Sequence, residues 1–441
     1  MLNKIRFVAG WLAGIELWII LLLVGFSLLW SSMLGVTLIV GIAFWFIRRV
    51  GVGRFTVRAP ADWGILCLVG FSIFGLLITQ FTSDSITQYL RLYTGVILYY
   101  AIVNWTDQQK RVSTLILGII LIGLGLTAFS FVGVEWAVEK LPFLTGTIYS
   151  HFLRLVSDTA NPNVLAGSLV LFLPIFFAIL LFTRRKEFKS KREHYIWWLA
   201  GITFIGISLV LGLTLSRGSW IAGVLSIMLV IGLRWRWGWL VFPVVGIAIW
   251  AASSLIGWDG FVEVFLSSRT LGSLNDRVDL WYRSMLIIRT FPFTGIGMGS
   301  FIPVADTFFP SSSALPGTGS HAHNLFLQIA IDLGLPGLIA WLSILITLSV
   351  TSWRVFHRSK GKGDSWSTAL GAGLLCSQLA LVAHGMLDVV IWGMVRPAPI
   401  VWAIWGIVAS LGYLYLRPLF PSKIYPDQVG SLTEIVPGGN L

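Results

Sequence analysis

The chain has 441 residues, of which 56% are hydrophobic and only 11% charged, with a net charge of +12. A soluble domain carries roughly a quarter charged residues, so this composition excludes a water-soluble globule. The positive balance does not mark a nucleic-acid binder either, because its cations concentrate in one set of alternate loops.

Apolar runs long enough to cross the ~30 Å hydrocarbon layer as helices recur along the chain. Twelve spans are expected, near 14–31, 33–47, 62–80, 86–103, 112–134, 163–182, 196–215, 218–233, 239–256, 324–350, 369–395 and 398–416. The span 86–103 carries Arg91, and 324–350 is long enough to begin as an external helix. No cleavable signal is evident at the N-terminus. With that terminus inside, alternate loops hold 22 of the 31 lysines and arginines, from Lys4 and Arg6 to Arg417 and Lys423. This positive-inside bias puts both termini in the cytoplasm. Cys67 and Cys376 fall in spans and read as packing residues. The predicted fold is all-α, a polytopic transmembrane helical bundle of about twelve spans. A large, partly helical extracytoplasmic loop covers 257–323, and the tail 418–441 reads as disordered and cytoplasmic.

Nine cations defy the topological preference: Arg91, Lys140, Arg154, Arg217, Arg269, Arg277, Arg283, Arg289 and Arg396. Eight are arginine, whose planar fork matches phosphate or carboxylate oxygens. Snorkelling or local pairing accounts for Arg154, Arg269 and Arg289.

Four polar motifs stand on the outer side. Asn161-Pro162-Asn163 opens a span after a long outer segment. Ser216-Arg217-Gly218 forms a tight turn between two spans, with Arg217 beside the free N–H groups of the next helix. Arg277 and Trp281 lie one helical turn apart, ahead of Arg283 and the run Pro292–Gly299, whose glycines would permit close approach to a ligand. Last comes His321-Ala322-His323-Asn324, with Gln328 four residues beyond Asn324. A histidine at the mouth of a span suits a general base, and the two amides on one face could hold sugar hydroxyls. A zinc site is not expected, since His321 and His323 lack a well-placed third ligand in the sequence.

Taken together, these motifs resemble the O-antigen ligase/polymerase superfamily over about 160–400. The resemblance rests on Ser216-Arg217-Gly218, Arg277 with Trp281 and the Gly-rich run, the spacing His323 to Gly334, Asn161-Pro162-Asn163, and His384-Gly385-Met386-Leu387-Asp388. It implies a GT-C-like architecture, with N-terminal transmembrane helices over 1–135 and the ligase-like region over 136–417. It further implies inverting, metal-independent transfer of a glycan from undecaprenyl pyrophosphate to an acceptor hydroxyl on a glycolipid, glycan or protein. That transfer would take place at the outer face of the inner membrane, in cell-surface polysaccharide or lipopolysaccharide biosynthesis, with no cofactor. On that reading His323, Arg217 and Arg277 are catalytic: His323 deprotonates the acceptor, and the arginines stabilise the departing pyrophosphate. Arg91, Arg283, Asn161, Asn163, Ser216, Trp281, Asn324 and Gln328 are expected to bind substrate. A polymerase of the same superfamily is the alternative. A small-solute transporter gated by Arg91, His384, Asp388 and Arg396 is a further one, although the paired half-repeats common in transporters are not visible.

Overall fold

The computed structural model describes residues 2–79, 82–109, 112–134, 161–188, 190–257, 274–310, 321–389, 391–393, 395 and 397–416. The expected disordered tail, most of the outer segment before Asn161, and Lys140, Arg154, Arg269 and Arg396 lie outside the described residues. Fifteen α-helices and no β-strand occur among those described.

In chain order these are α1 (Leu2–Ser27), α2 (Met33–Gly51), α3 (Asp62–Ile78), α4 (Thr82–Gln109), α5 (Val112–Gly133), α6 (Pro162–Leu169), α7 (Leu173–Phe182) and α8 (Lys191–Thr214). They continue with α9 (Arg217–Arg234), α10 (Val241–Ile256), α11 (Leu274–Thr290), α12 (Phe301–Phe308), α13 (Leu325–Gly361), α14 (Ser365–Gly385) and α15 (Ala398–Leu416). Ten stretches are long and apolar enough to cross a membrane, α6 and α7 counting as one broken just ahead of Pro174. The other two expected spans are α3, which has 17 residues, and α4, which carries Arg91. The protein is an all-α, polytopic integral membrane protein.

Lipid replaces water as the solvent of the outer surface, so large apolar side chains point outward. Val244, Ile247 and Trp250 of α10 and Ile202, Ile205 and Leu209 of α8 are exposed. The true core lies where α4, α13, α14 and α15 meet. Trp341 and Trp405 pack there with tilted rings 5.7 Å apart, Trp402 meets Trp405 at 5.0 Å, and Tyr99 abuts Trp402 edge-on. A Cβ at Gly95 would sit 2.1 Å from Trp402, so only glycine lets α4 approach α15 this closely.

Many cations of the cytoplasmic reading gather at one end of the bundle. Arg234 Nε donates to the Leu181 carbonyl and Arg358 to that of Tyr415, satisfying carbonyls near helix ends. Arg48 does more than set topology: fully buried, it pairs at 3.3 Å with Glu16, which also accepts from Asn104.

One expected span is corrected. Instead of continuing to 395, α14 ends at Gly385, and the chain turns through Met386 and Leu387 to leave Asp388 beyond the helix. The cause is local: Met386 caps the helix, while the Leu387 and Asp388 N–H groups both return to the His384 carbonyl.

Candidate functional site

At the end opposite those cations, five segments converge: the α3–α4 junction, the α8–α9 turn, the run 292–300, residues 321–324 and the loop after α14. The Thr79 and Ser300 hydroxyls bond at 2.8 Å, Ser85 donates to the Met298 carbonyl, and Asn324 Nδ2 donates to the Met386 carbonyl at 3.3 Å.

The scaffold under this end is a kink. α13 breaks at Gly334 (φ 70°, ψ 177°) two residues before Pro336, leaving a short outer half-helix that starts at Leu325. The glycine run lies against that break: Ile296 N–H donates to Ile331 O, Gly297 N–H to Asp332 O and Leu335 N–H to Pro292 O. A Cβ on Gly295 would lie 2.6 Å from Gly334 N, and one on Gly334 would lie 2.6 Å from Phe293 C. Both have positive φ, which glycine alone adopts freely. The glycines therefore permit close approach as expected, but the partner is the α13 backbone and not a ligand.

Asn324 and Gln328 receive a different task from the one expected. Asn324 caps α13: its Oδ1 accepts from the Phe326 and Leu327 N–H groups at 3.0 and 3.1 Å. Gln328 is fully buried; its Oε1 accepts from Ala322 N–H at 3.0 Å and its Nε2 donates to Asp332 at 2.9 Å. Asp332 in turn accepts from Trp392 Nε1 at 2.7 Å. Both amides are engaged inside the protein, where they fix the loop bearing the histidines instead of facing a sugar.

That loop presents His323 with φ 45°, a left-handed conformation uncommon outside glycine and one that surrounding structure must hold in place. Its Nδ1 lies 3.4 Å from Asp388 Oδ1, within ion-pair range but short of hydrogen-bond alignment. His321 Nε2 is 3.6 Å from the same oxygen, which also accepts from Val389 N–H at 2.8 Å. Burial, then the neighbouring His323, pushes the His321 pKa down to about 4 against the pull of Asp388. Burial alone would raise the Asp388 carboxyl; the three surrounding imidazoles of His323, His321 and His384 outweigh it and hold the group well below the usual carboxylate range.

Asp388 is thus the third ligand that spacing along the sequence did not supply, and the three ligand atoms lie within 4.8 Å of one another. The proton that His321 carries nevertheless fits this set poorly to a metal. His321 Nδ1 accepts the His323 N–H at 3.1 Å, so the neutral ring carries its proton on Nε2, toward Asp388. A metal there needs a bare Nε2, and metal-bound imidazoles normally donate from their other nitrogen.

Arg277 and the turn that carries Arg217 border this cluster. Leu215, with φ 53°, ends α8 in a left-handed turn, and Arg217 opens α9 immediately after Ser216. Trp220 Nε1 clamps the turn by donating to Leu211 O at 2.8 Å. Arg277 on α11 lies within electrostatic reach of both His321 and His384. The Arg277 Nε and Trp281 Nε1 atoms are buried with no hydrogen-bond partner.

The remaining expected residues lie elsewhere or are already engaged. Arg283 is buried in an outer subcore, pairing with Asp306, lying 3.9 Å from Asp279 and donating to Phe309 O at 2.9 Å. Arg91 donates to Gly393 O at 2.9 Å and so ties α4 to the loop after α14. Asn161 caps α6 by accepting the Asn163 N–H at 2.8 Å; both side chains are exposed. Ser216 accepts from Ser219 at 3.1 Å. The reading of the sequence left Asp388 and His384 outside the site. An ionisable residue at the end of an apolar run is the signal that could have placed them there.

These features define a class: an integral membrane protein with a histidine–carboxylate cluster and two arginines gathered at one end of its helices. Residues 202–342 match the family model described as O-antigen ligase, from within α8 to within α13. Over that third of the chain the protein is similar to the O-antigen ligase family, and the match supports an O-antigen ligase-like membrane protein. The match is narrower than the expected 160–400: it contains Arg217, Arg277, His321 and His323 but stops short of His384 and Asp388. No curated protein matches the chain.

Proposed function

We propose that this protein is a ligase-like, inverting glycosyltransferase that moves a glycan from a polyprenyl-pyrophosphate carrier to an acceptor hydroxyl at the extracytoplasmic face. The observation that carries the reading is the facing of His323 Nδ1 and Asp388. A carboxylate there keeps the imidazole proton on Nδ1 and leaves Nε2 bare as a base. Nε2 takes the acceptor proton while the acceptor oxygen attacks the anomeric carbon. The bond from that carbon to the pyrophosphate oxygen breaks, and the leaving group departs with the electron pair. Arg217 and Arg277 neutralise the charge it develops. The closeness of His321 and His323 to the Asp388 carboxylate supports proton transfer by these side chains, and the cations at the far end support an extracytoplasmic site.

The test is transfer by purified protein in nanodiscs, supplied with an undecaprenyl-pyrophosphate-linked glycan and its acceptor, with EDTA present. Turnover should persist in EDTA and fall about 10²–10⁴-fold in His323→Ala, the range of a general base, while donor binding survives. A folded His323→Ala protein with near-normal turnover would overturn the base assignment.

A further inference from the structure

His384 belongs to no step above, yet it is the side chain that joins the two halves of the site. It sits in the last turn of α14, only 2% exposed, four residues before Asp388. Its Nδ1 is 3.5 Å from Ser219 Oγ in the first turn of α9, and a Cβ on Gly218 would come within 3.3 Å of the same nitrogen. The Ser219 proton is committed to Ser216 Oγ at 3.1 Å, so Ser219 is left as the acceptor and Nδ1 as the donor. At the other end of the residue, the His384 carbonyl receives both the Leu387 and Asp388 N–H groups. The ring and its backbone thus touch the turn that begins with Arg217 and the loop that carries Asp388. The opposite ring nitrogen, Nε2, is buried without a partner.

We propose that His384 is a positioning residue, locking the Ser216–Ser219 turn to the Asp388 loop through its Nδ1 edge so that anion binding and acceptor activation are assembled as one unit. The proposal rests on the transferase reading for its kinetic consequence but not for the lock itself. Small residues at 218 and 219 follow from it: the ring occupies the space a larger side chain at 218 would need, and the hydroxyl at 219 is the acceptor.

The test compares His384→Asn, His384→Gln and His384→Leu in purified full-length protein. An asparagine amide N–H stands where Nδ1–H stood, whereas a glutamine amide reaches toward the Nε2 position. Amide hydrogen exchange across 215–219 and 386–389 reads the lock without any substrate. Exchange at both segments should rise in His384→Leu and His384→Gln and stay near wild type in His384→Asn. With the undecaprenyl-pyrophosphate-linked donor, KM should rise about 5- to 100-fold in His384→Leu, as for a buried polar partner left unsatisfied, and recover in His384→Asn. Gly218→Ala, which crowds the same nitrogen from the other side, should repeat the His384→Leu pattern. Equal exchange in all folded variants, or equal damage in His384→Asn and His384→Leu, overturns the lock. A wild-type protein that neither binds nor turns over the donor overturns the transferase reading instead, and the exchange data then decide the lock alone.

Discussion

Replacing Asp388 with asparagine removes a charge while keeping the shape, and so isolates what the carboxylate does for His323. In wild type the Asp388 oxygen stands 3.4 Å from His323 Nδ1 and 3.6 Å from His321 Nε2. On the proposed mechanism, the imidazolium that His323 becomes on taking the acceptor proton is stabilised by that carboxylate. With charge centres about an ångström beyond the atomic contact and an effective dielectric constant of about 20, the pair contributes roughly 3–4 kcal/mol. A loss of that size slows transfer about 10²–10³-fold. The sign for donor binding is opposite: a negative charge removed beside an anionic leaving group cannot weaken its affinity. Single-turnover transfer by nanodisc-embedded protein, measured beside donor affinity, should therefore show a large fall in rate and no rise in dissociation constant. A folded Asp388→Asn protein turning over within about threefold of wild type would refute the pairing.

Arg217→Lys and Arg277→Lys should each cost about 1.5–3 kcal/mol of transition-state stabilisation, because a point charge loses the fork geometry; retained kcat/KM in either would argue for charge alone. His321, with its folded pKa near 4 against about 6.5 unfolded, charges more readily when unfolded. Its stabilisation is therefore full above about pH 6.5 and is lost as pH falls toward 4, by roughly 3 kcal/mol. Thermal unfolding across that window should show the slope, and His321→Gln should flatten it. Gly295→Ala forces a Cβ onto the α13 kink at φ 63°, which should cost about 2 kcal/mol or more and lower the unfolding temperature in detergent. In a background lacking Cys67 and Cys376, Phe308→Cys, 68% exposed in the native protein, should react with an impermeant thiol reagent added to whole cells, and Lys186→Cys should not. The reverse labelling would invert the orientation.

The helices were legible because lipid imposes one rule on every span: the backbone must satisfy itself inside an apolar run of fixed length. All twelve expected spans correspond to helices, α4 included despite Arg91, since a single arginine can reach a carbonyl, here that of Gly393. The end of α14 was not legible. Residues 386–395 are as apolar as the helix before them, and what stops the helix is the capping at Met386, which hydropathy does not report. The arginines and His323 stood out in the sequence because guanidinium and imidazole are costly beside lipid.

Their partners were harder to read, for a reason visible in Asn324 and Gln328. Polar side chains at the mouth of a span face two demands: to bind something outside, or to satisfy the backbone of the irregular loop that carries the catalytic group. Periodicity distinguishes faces of a helix but not these two demands. A histidine loop held at φ 45° leaves several N–H groups without helix partners. Nearby side chains take them: Asn324 the Phe326 and Leu327 N–H groups, Gln328 that of Ala322, and the His321 ring that of His323. Burying those donors unpaired would cost about 1–3 kcal/mol each, more than such a strained loop could bear. The side chains beside His323 therefore hold its loop in place, while the Arg277 Nε and Trp281 Nε1 donors stay buried without a hydrogen-bond partner.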